Sequence, residues 1–249
     1  MSSYIHLVGK ADDNRLSLQN KILWKIICQH LTSSGINNNS IIADIGCGNG
    51  DITCYLLDKV KKIYAIDNSD KQLELTKEKV DAIRNENSAA VEYIKMDIRF
   101  DEFPNDLDFI FVKFVLMHIE NKYIENIFNK FHKSLNIGGR LIIEETIWNR
   151  MYLSAYPELE IYKQCVYDKM IGMDYNIGNK LCDLVSDFRV LEYNTHDINT
   201  SLDNFKILFS GLVDAEKMDP EWKNIINSIN HSDIIIITGL GTLIAQKCG

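Results

Sequence analysis

The sequence has no CxxC pair. Its six cysteines, Cys28, Cys47, Cys54, Cys165, Cys182 and Cys248, are scattered, and no histidine cluster stands beside Cys47 and Cys54, so no metal site is expected. A chain of 249 residues builds a core without disulfides, and scattered thiols fit a reducing, cytoplasmic setting. Long apolar runs are also missing. The longest, 234-IIIITGLGTLIA-245, is too short to span a bilayer and holds two glycines. The N-terminal MSSYIHLVGKADDNR lacks the apolar core of a signal peptide. Basic runs are scarce: the longest obvious cluster is Lys59, Lys61 and Lys62, in a chain of formal charge −8. Nucleic-acid binders usually carry a basic face, so neither a nucleic-acid nor a membrane partner is expected. No internal repeat, long linker or low-complexity tract divides the chain, which reads as one domain over residues 1–249.

What is present is ordinary globular composition, 46% apolar and 25% charged, arranged in alternating segments. Short apolar runs at 41-IIADI-45, 62-KIYAID-67, 91-VEYIKMD-97, 107-LDFIFVKFVL-116 and 139-GRLIIEE-145 read as strands. Helix-length segments at about 50–59, 70–86 and 121–135 lie between them. Apolar strands separated by amphipathic helices predict a mostly parallel sheet covered on both faces. In 119-IENKYIENIFNKFHKSL-135 the apolar residues Ile119, Tyr123, Ile127 and Phe131 recur every four positions, and 136-NIGG-139 is expected to stop that helix. In the 70–86 segment, Leu73, Val80 and Ile83 are expected to face inward. An amphipathic helix is expected over 16–31, helical structure over 147–187, a sixth strand at 188–195, helices over 202–217 and 221–230, and a last strand at 242–247. The segment 234–238 is compatible with a strand, a buried turn or part of a lid. The chain thus divides into an N-terminal cap and helix (1–35), a cofactor-binding core (40–146), a helical acceptor-side insertion (147–187) and a C-terminal completion of the sheet (188–249).

The chemistry begins at 41-IIADIGCGNGDIT-53, where a strand runs into Gly46, Gly48 and Gly50 and then into a helix. Glycines allow close approach of backbone to a ligand, and the helix start offers free N–H groups. A dinucleotide fingerprint spaces its glycines GxGxxG. Here the third glycine comes one residue early, and Asp51 stands where it would be; a carboxylate there repels a pyrophosphate. A cofactor without phosphates is favoured, and acids follow at the strand ends: Asp44, Asp67 and Asp97. A carboxylate at Asp67 can accept from both hydroxyls of a ribose. Asp97 can accept from an adenine amino group while Ile98 packs on the ring.

These features in register resemble the class I methyltransferases that use S-adenosylmethionine (SAM). The resemblance spans about residues 40–146: 43-ADIGCGNG-50, the acid Asp67, 96-MDI-98, 108-DFIFVKFVLMHI-119 and 134-SLNIGGRLIIEE-145. It implies an α/β, Rossmann-like, doubly wound sheet of seven strands, with the seventh antiparallel between the fifth and sixth, plus a helical lid. It implies SAM as cofactor and methyl transfer to a small-molecule O or N acceptor by in-line displacement, with S-adenosylhomocysteine (SAH) as product. Gly46, Cys47 and Gly48 would lie against the methionine part of the cofactor, Asp67 would hold the ribose, and Asn68 with Asp97 and Ile98 would border adenine. Lys113 and Phe114 would lie under the methionine end. The leader 4-YIHLVGKADDNRLSLQ-19 is similar to that of small-molecule methyltransferases, which brings in Tyr4 and Arg15 as cofactor-side residues.

For the reaction, alignment and desolvation of the acceptor matter most, and a general base is optional. The candidates are His118, after the fourth strand, and Glu144 with Glu145, at the end of the fifth. Each also has a structural reading, as a helix cap or a loop anchor. His196 and His6 are weaker candidates. The aromatic and Met residues of 148–175 could line an apolar acceptor pocket or pack helices. The strand end reads 113-KFVL-116 rather than the NPPY-type motif of nucleobase or glutamine amino methylation. Protein or tRNA methylation, an NAD-type oxidoreductase and a non-catalytic SAM-fold interaction protein remain as alternatives. The oligomeric state is open, a homodimer included.

Overall fold

A computed structural model describes residues 10–153, 172–201, 204 and 236–249. The expected helices over 202–217 and 221–230 lie almost wholly outside these residues, as do the leader before residue 10 and residues 154–171.

The elements run α1 (Lys10–Ser33), β1 (Ile41–Ile45), α2 (Asp51–Leu56), β2 (Lys62–Asp67), α3 (Asp70–Ile83), β3 (Ala90–Lys95) and β4 (Leu107–Lys113). A 3₁₀ turn (Leu116–His118), α4 (Asn121–Ser134) and the long β5 (Leu135–Leu153) follow. A second 3₁₀ turn (Ile177–Asn179), the short α5 (Leu181–Leu184), β6 (Phe188–Thr200) and β7 (Ile236–Lys247) complete the order. The sheet has seven strands in the order β3-β2-β1-β4-β5-β7-β6. Strands β1 to β5 pair in parallel, and β7 runs antiparallel to both β5 and β6. The expected seven-stranded, mostly parallel sheet, with an antiparallel last strand between the fifth and sixth, is the one observed.

Strand pleat sorts the core. Ile42, Phe109, Phe111 and Ile142 pack with Leu23 and Ile27 of α1 and with Leu56 of α2. Their neighbours Ala43, Ile110, Val112, Leu141 and Ile143 pack with Ile127 and Phe131 of α4. Successive side chains on a strand point to opposite faces, and helices cover both faces here, so β1 and β4 are apolar at almost every position. Fully burying one such Ile or Phe contributes about 1.5–3 kcal/mol. In α4, Ile124, Ile127, Phe128 and Phe131 form the buried stripe.

Three expectations need correction. Ile83 is 57% exposed, because the buried face of α3 is carried by Gln72, Leu73, Leu75, Thr76 and Val80. The polar pair Gln72 and Thr76 replaces it inward because the glycine turn, a polar neighbour, packs against that end of the helix. Residues 147–153 are not helical: they continue β5, held by antiparallel pairing with β7. That partner lies about ninety residues downstream, beyond the reach of local periodicity. Residues 172–187 hold only the 3₁₀ turn and α5. The ambiguous segment before residue 239 resolves as strand from Ile236 onward.

Candidate functional site

The parallel strands end on one edge of the sheet, and a cavity of about 240 Å³ lies along that edge. Its floor is the glycine turn after β1 and the ends of β2 and β4; α1 forms a wall through Arg15, Leu16, Gln19 and Asn20. Ligands of open α/β sheets bind at such an edge, where strand order reverses. Here β1 has β2 on one side and β4 on the other.

The glycine turn is shaped for close approach. Gly46, Gly48 and Gly50 have φ of 68°, 56° and 79°, a region costly for other residues. A Cβ on Gly46 would lie 2.3 Å from Val115 Cγ2. The N–H groups of Gly46 and Cys47 both donate to Ile66 O, at 2.7 and 3.0 Å. Gly48 N–H donates to Asp67 Oδ2 at 3.1 Å, and Ser69 N–H donates to Asp67 Oδ1 at 2.9 Å. Burial raises the Asp67 carboxyl above its ordinary pKa, against these backbone donors. Asp44 is buried, accepts from Thr53 Oγ1 at 2.6 Å, and is pushed up to about 6 by burial. Cys47 is buried with Sγ 3.6 Å from Thr76 Oγ1, and burial raises its thiol far above the ordinary range. A thiol so disfavoured as thiolate is no nucleophile.

Asp51, which sets this turn apart from a dinucleotide fingerprint, belongs to a clasp. Lys79 Nζ of α3 donates to Asp51 Oδ1 at 2.9 Å and to Asp13 Oδ1 of α1 at 2.7 Å. Asn49 Nδ2 reaches Asp13 and Ser17 at 2.9 Å each and Asp51 at 3.1 Å. Asn20 Nδ2 also donates to Asp51 Oδ2 at 3.1 Å. The turn, α2 and α3 thereby hold α1 over the cavity.

Of the cofactor-side candidates, Arg15, Asp44, Gly46, Cys47, Gly48, Asp67, Asn68, Asp97, Ile98, Lys113 and Phe114 all line the cavity. Tyr4 and the weaker candidate His6 lie outside the described residues. Arg15 is buried and forks onto Asp12, with Nε and Nη2 each 2.6 Å from a carboxylate oxygen. Asp97 is gripped in the same manner by Arg99, at 2.9 and 2.6 Å, and that guanidinium holds its carboxyl below the ordinary range. Its carboxylate therefore already has a cationic partner at the cavity wall. Lys113 ends β4, with Nζ 4.6 Å from the Phe114 ring centroid. Burial lowers its ammonium to about 8, with Glu144 opposing.

The proposed base candidates do not converge. Of the three, only His118 lines the cavity. Its Nδ1 lies 3.0 Å from Tyr175 Oη, and burial, aided by Arg15, lowers the imidazole to about 3. It stands neutral at physiological pH. Glu144 and Glu145 are fully buried behind the wall. Glu144 faces α1, with Oε1 3.1 Å from His30 Nδ1. Glu145 faces the opposite side of the sheet and accepts from Val115 N–H at 2.9 Å and Leu116 N–H at 2.7 Å. It thus anchors the 3₁₀ turn that carries His118, and burial raises its carboxyl to about 8. Adjacent strand residues point to opposite faces, so the two acids cannot serve one substrate together. His196 Nε2 contacts Thr242 Oγ1 at 3.3 Å on the outer strands and does not line the cavity.

Sequence reasoning missed the far wall: Met117, Thr146, Ile198, Thr200, Thr238 and Leu240 line it beside Trp148 and Tyr175. Ile198 and Thr200 are alternate residues on β6, and Thr238 and Leu240 on β7, so period two was the available signal. Among the described residues, the buried atoms Asn20 Oδ1 and Thr200 Oγ1 at the cavity have no hydrogen-bond partner.

A family model described as a methyltransferase domain matches residues 42–139. Among curated proteins, the carboxy-S-adenosyl-L-methionine synthase of Yersinia pestis (strain Pestoides F) is 25% identical over 158 residues, 62% of this chain and 49% of that protein. The chain thus matches about half the length of these relatives. Among solved structures, a SAM-dependent methyltransferase of Methanosarcina mazei superposes with TM-score 0.60 at 16% identity, over 88% of this chain and 97% of that one. The N-methyltransferase NodS of Bradyrhizobium japonicum WM9 superposes with TM-score 0.56 at 14% identity, over 92% and 98% of the two chains. Residues 42–139 thus match a methyltransferase-domain model, and the chain shares its fold with these solved methyltransferases.

Proposed function

We propose that the protein binds SAM along the strand-end cavity and transfers its methyl group to a small-molecule O or N acceptor, releasing SAH. The observation that carries this reading is the continuity of one cavity from Asp67 and the glycine turn to His118 and Tyr175. Acids and backbone line it at the strand ends, and Ile147, Trp148, Ile198 and Leu240 line it as well.

The residues present suit this cofactor. Asp67 would hold the ribose, the turn from Gly46 to Gly48 would lie along the methionine portion, and Ile98 would pack on adenine. Asp44, held by Thr53 at 2.6 Å, and Asn20 Oδ1, which has no hydrogen-bond partner among the described residues, suit an ammonium group. Bound SAM supplies an activated methyl group on a sulfonium. The chain's own task is to seat the acceptor and exclude water, and the α1 clasp serves both. The far half of the cavity, with Trp148, Ile147, Ile198 and Leu240, suits an apolar acceptor body. Thr146, Thr200, Thr238 and Tyr175 provide neutral hydrogen-bonding groups there. No helix among the described residues is long and apolar enough to cross a membrane.

Titration calorimetry with SAM, SAH and NAD tests the cofactor. Micromolar or tighter binding of SAM and SAH, with none of NAD, is expected. Preference for NAD would favour an oxidoreductase, and absence of all binding a non-catalytic interaction protein. The synthases among the relatives support a second reading, modification of SAM itself; the intact mass of the cofactor after incubation with a metabolite extract separates it from methyl transfer.

A further inference from the structure

A hydroxyl acceptor, or an amine that arrives protonated, must lose a proton on methylation, and the structure narrows which side chain can take it. Glu145 is turned to the backbone of the 3₁₀ turn, and Glu144 to His30. His118 faces the cavity with Nδ1 against Tyr175, and its lowered basicity makes it a poor proton acceptor. Lys113 differs from all three. It lines the cavity at the C-terminal end of β4, and among the described residues its Nζ has neither a hydrogen bond nor an ion pair. The charges around it come from every neighbouring element: Asp44 on β1, Asp51 on α2, Glu144 on β5 and Arg15 on α1. His30 stands behind Glu144, Glu145 acts from the other face of the sheet, and His118 lies on the 3₁₀ turn just beyond. Lys113 and Glu144 are register partners on adjacent strands.

We propose that Lys113 Nζ is the proton acceptor of the reaction. This rests on the methyltransferase reading above. The acceptor's oxygen or nitrogen bonds to the methyl carbon, the carbon–sulfur bond breaks with its electron pair kept by sulfur, and the acceptor's proton passes to the lone pair of neutral Nζ. The positive charge lost at sulfur reappears on the lysine, so the net charge of the site is conserved. The physical reason is repulsion between like charges in a water-poor site. A sulfonium disfavours an ammonium beside it, so SAM keeps Lys113 neutral, whereas the uncharged thioether of SAH no longer opposes protonation. Burial, the leading cause, already lowers the Lys113 ammonium to about 8, toward the range where a base is most effective.

The test is proton linkage, which needs no turnover. Calorimetric titrations at pH 8 in two buffers of different ionisation enthalpy count protons released on binding. The Glu145→Gln background removes a second group whose pKa lies at about 8. SAM binding is expected to release up to about half a proton and SAH close to none, and Lys113→Met is expected to abolish the difference. If Lys113→Met does not fold, Lys113→Arg, which keeps its charge at all relevant pH values, should weaken SAM binding about tenfold or more relative to SAH. Equal proton release by SAM and SAH, a difference that persists in Lys113→Met, or equal weakening of both ligands in Lys113→Arg would overturn the proposal while leaving the methyltransferase reading intact. Failure of the wild-type protein to bind either ligand would overturn both.

Discussion

Gly48 N–H donates to Asp67 Oδ2 across 3.1 Å, joining the glycine turn to the end of β2 independently of any ligand. The carboxylate is oriented by this bond and by Ser69 N–H at 2.9 Å. Two backbone donors thereby fix where a ribose could be held, and they lower the entropic cost of ordering the acid on binding.

Asp67→Ala should therefore weaken SAM binding by about 2–4 kcal/mol, since a charge-assisted acceptor is lost and Gly48 N–H is left without its partner. Calorimetry measures this directly. Affinity within threefold of wild type would remove Asp67 from the ribose site.

Tyr175→Phe removes the hydroxyl that lies 3.0 Å from His118 Nδ1. If the pair orients the acceptor, turnover should fall by about tenfold or more while the dissociation constant for SAM stays unchanged. His118 itself should remain neutral from pH 5 to 8, because its pKa is lowered to about 3. Its ring-proton chemical shifts should be flat over that interval by NMR.

Glu145 predicts a pH dependence of stability. Its folded pKa, raised to about 8, lies above the ordinary carboxylate value. Such a group favours the folded state fully below the unfolded pKa, near 4.3, and that advantage is lost as pH rises to about 8. The melting temperature should fall across this window, and Glu145→Gln, which keeps an acceptor oxygen for Val115 and Leu116 N–H without the charge, should reduce the fall. An identical pH profile in the variant would assign the dependence to other groups.

Lys79→Met breaks the clasp to Asp13 and Asp51. The lysine is 26% exposed, so global stability should change by only about 1 kcal/mol or less. The local effect should be larger: faster amide exchange over residues 12–20 and a several-fold rise in the SAM dissociation rate, as α1 releases the cavity. Exchange mass spectrometry and stopped-flow measurements check both.

Much of this arrangement was legible in the sequence because it is local. Strand β1, the three glycines and Asp67 fall within one strand–turn–helix–strand unit, and each strand-end acid closes a short apolar run. Asp51 was legible as a departure from a dinucleotide turn, yet its partners Lys79 and Asn20 come from α3 and α1 and could not be read locally. The extension of β5 to Leu153 was hidden because it depends on pairing with Ile236 and Ile237, far along the chain. The divergence of Glu144 and Glu145 follows from pleat: period two sends the two candidate acids to opposite faces of the sheet, one to His30 and the other to the backbone of Val115 and Leu116. Lys113 looked like a floor residue beneath the cofactor, since nothing in 113-KFVL-116 signals that its buried ammonium has no hydrogen bond or ion pair among the described residues.

The most direct test is transfer of label. Purified protein incubated with methyl-labelled SAM and a small-molecule metabolite extract should yield a labelled low-molecular-mass product, identifiable by mass, in amounts equal to the SAH formed. Binding of SAM without any labelled product or SAH across such extracts, or label appearing only in protein or RNA, would contradict methylation of a small molecule.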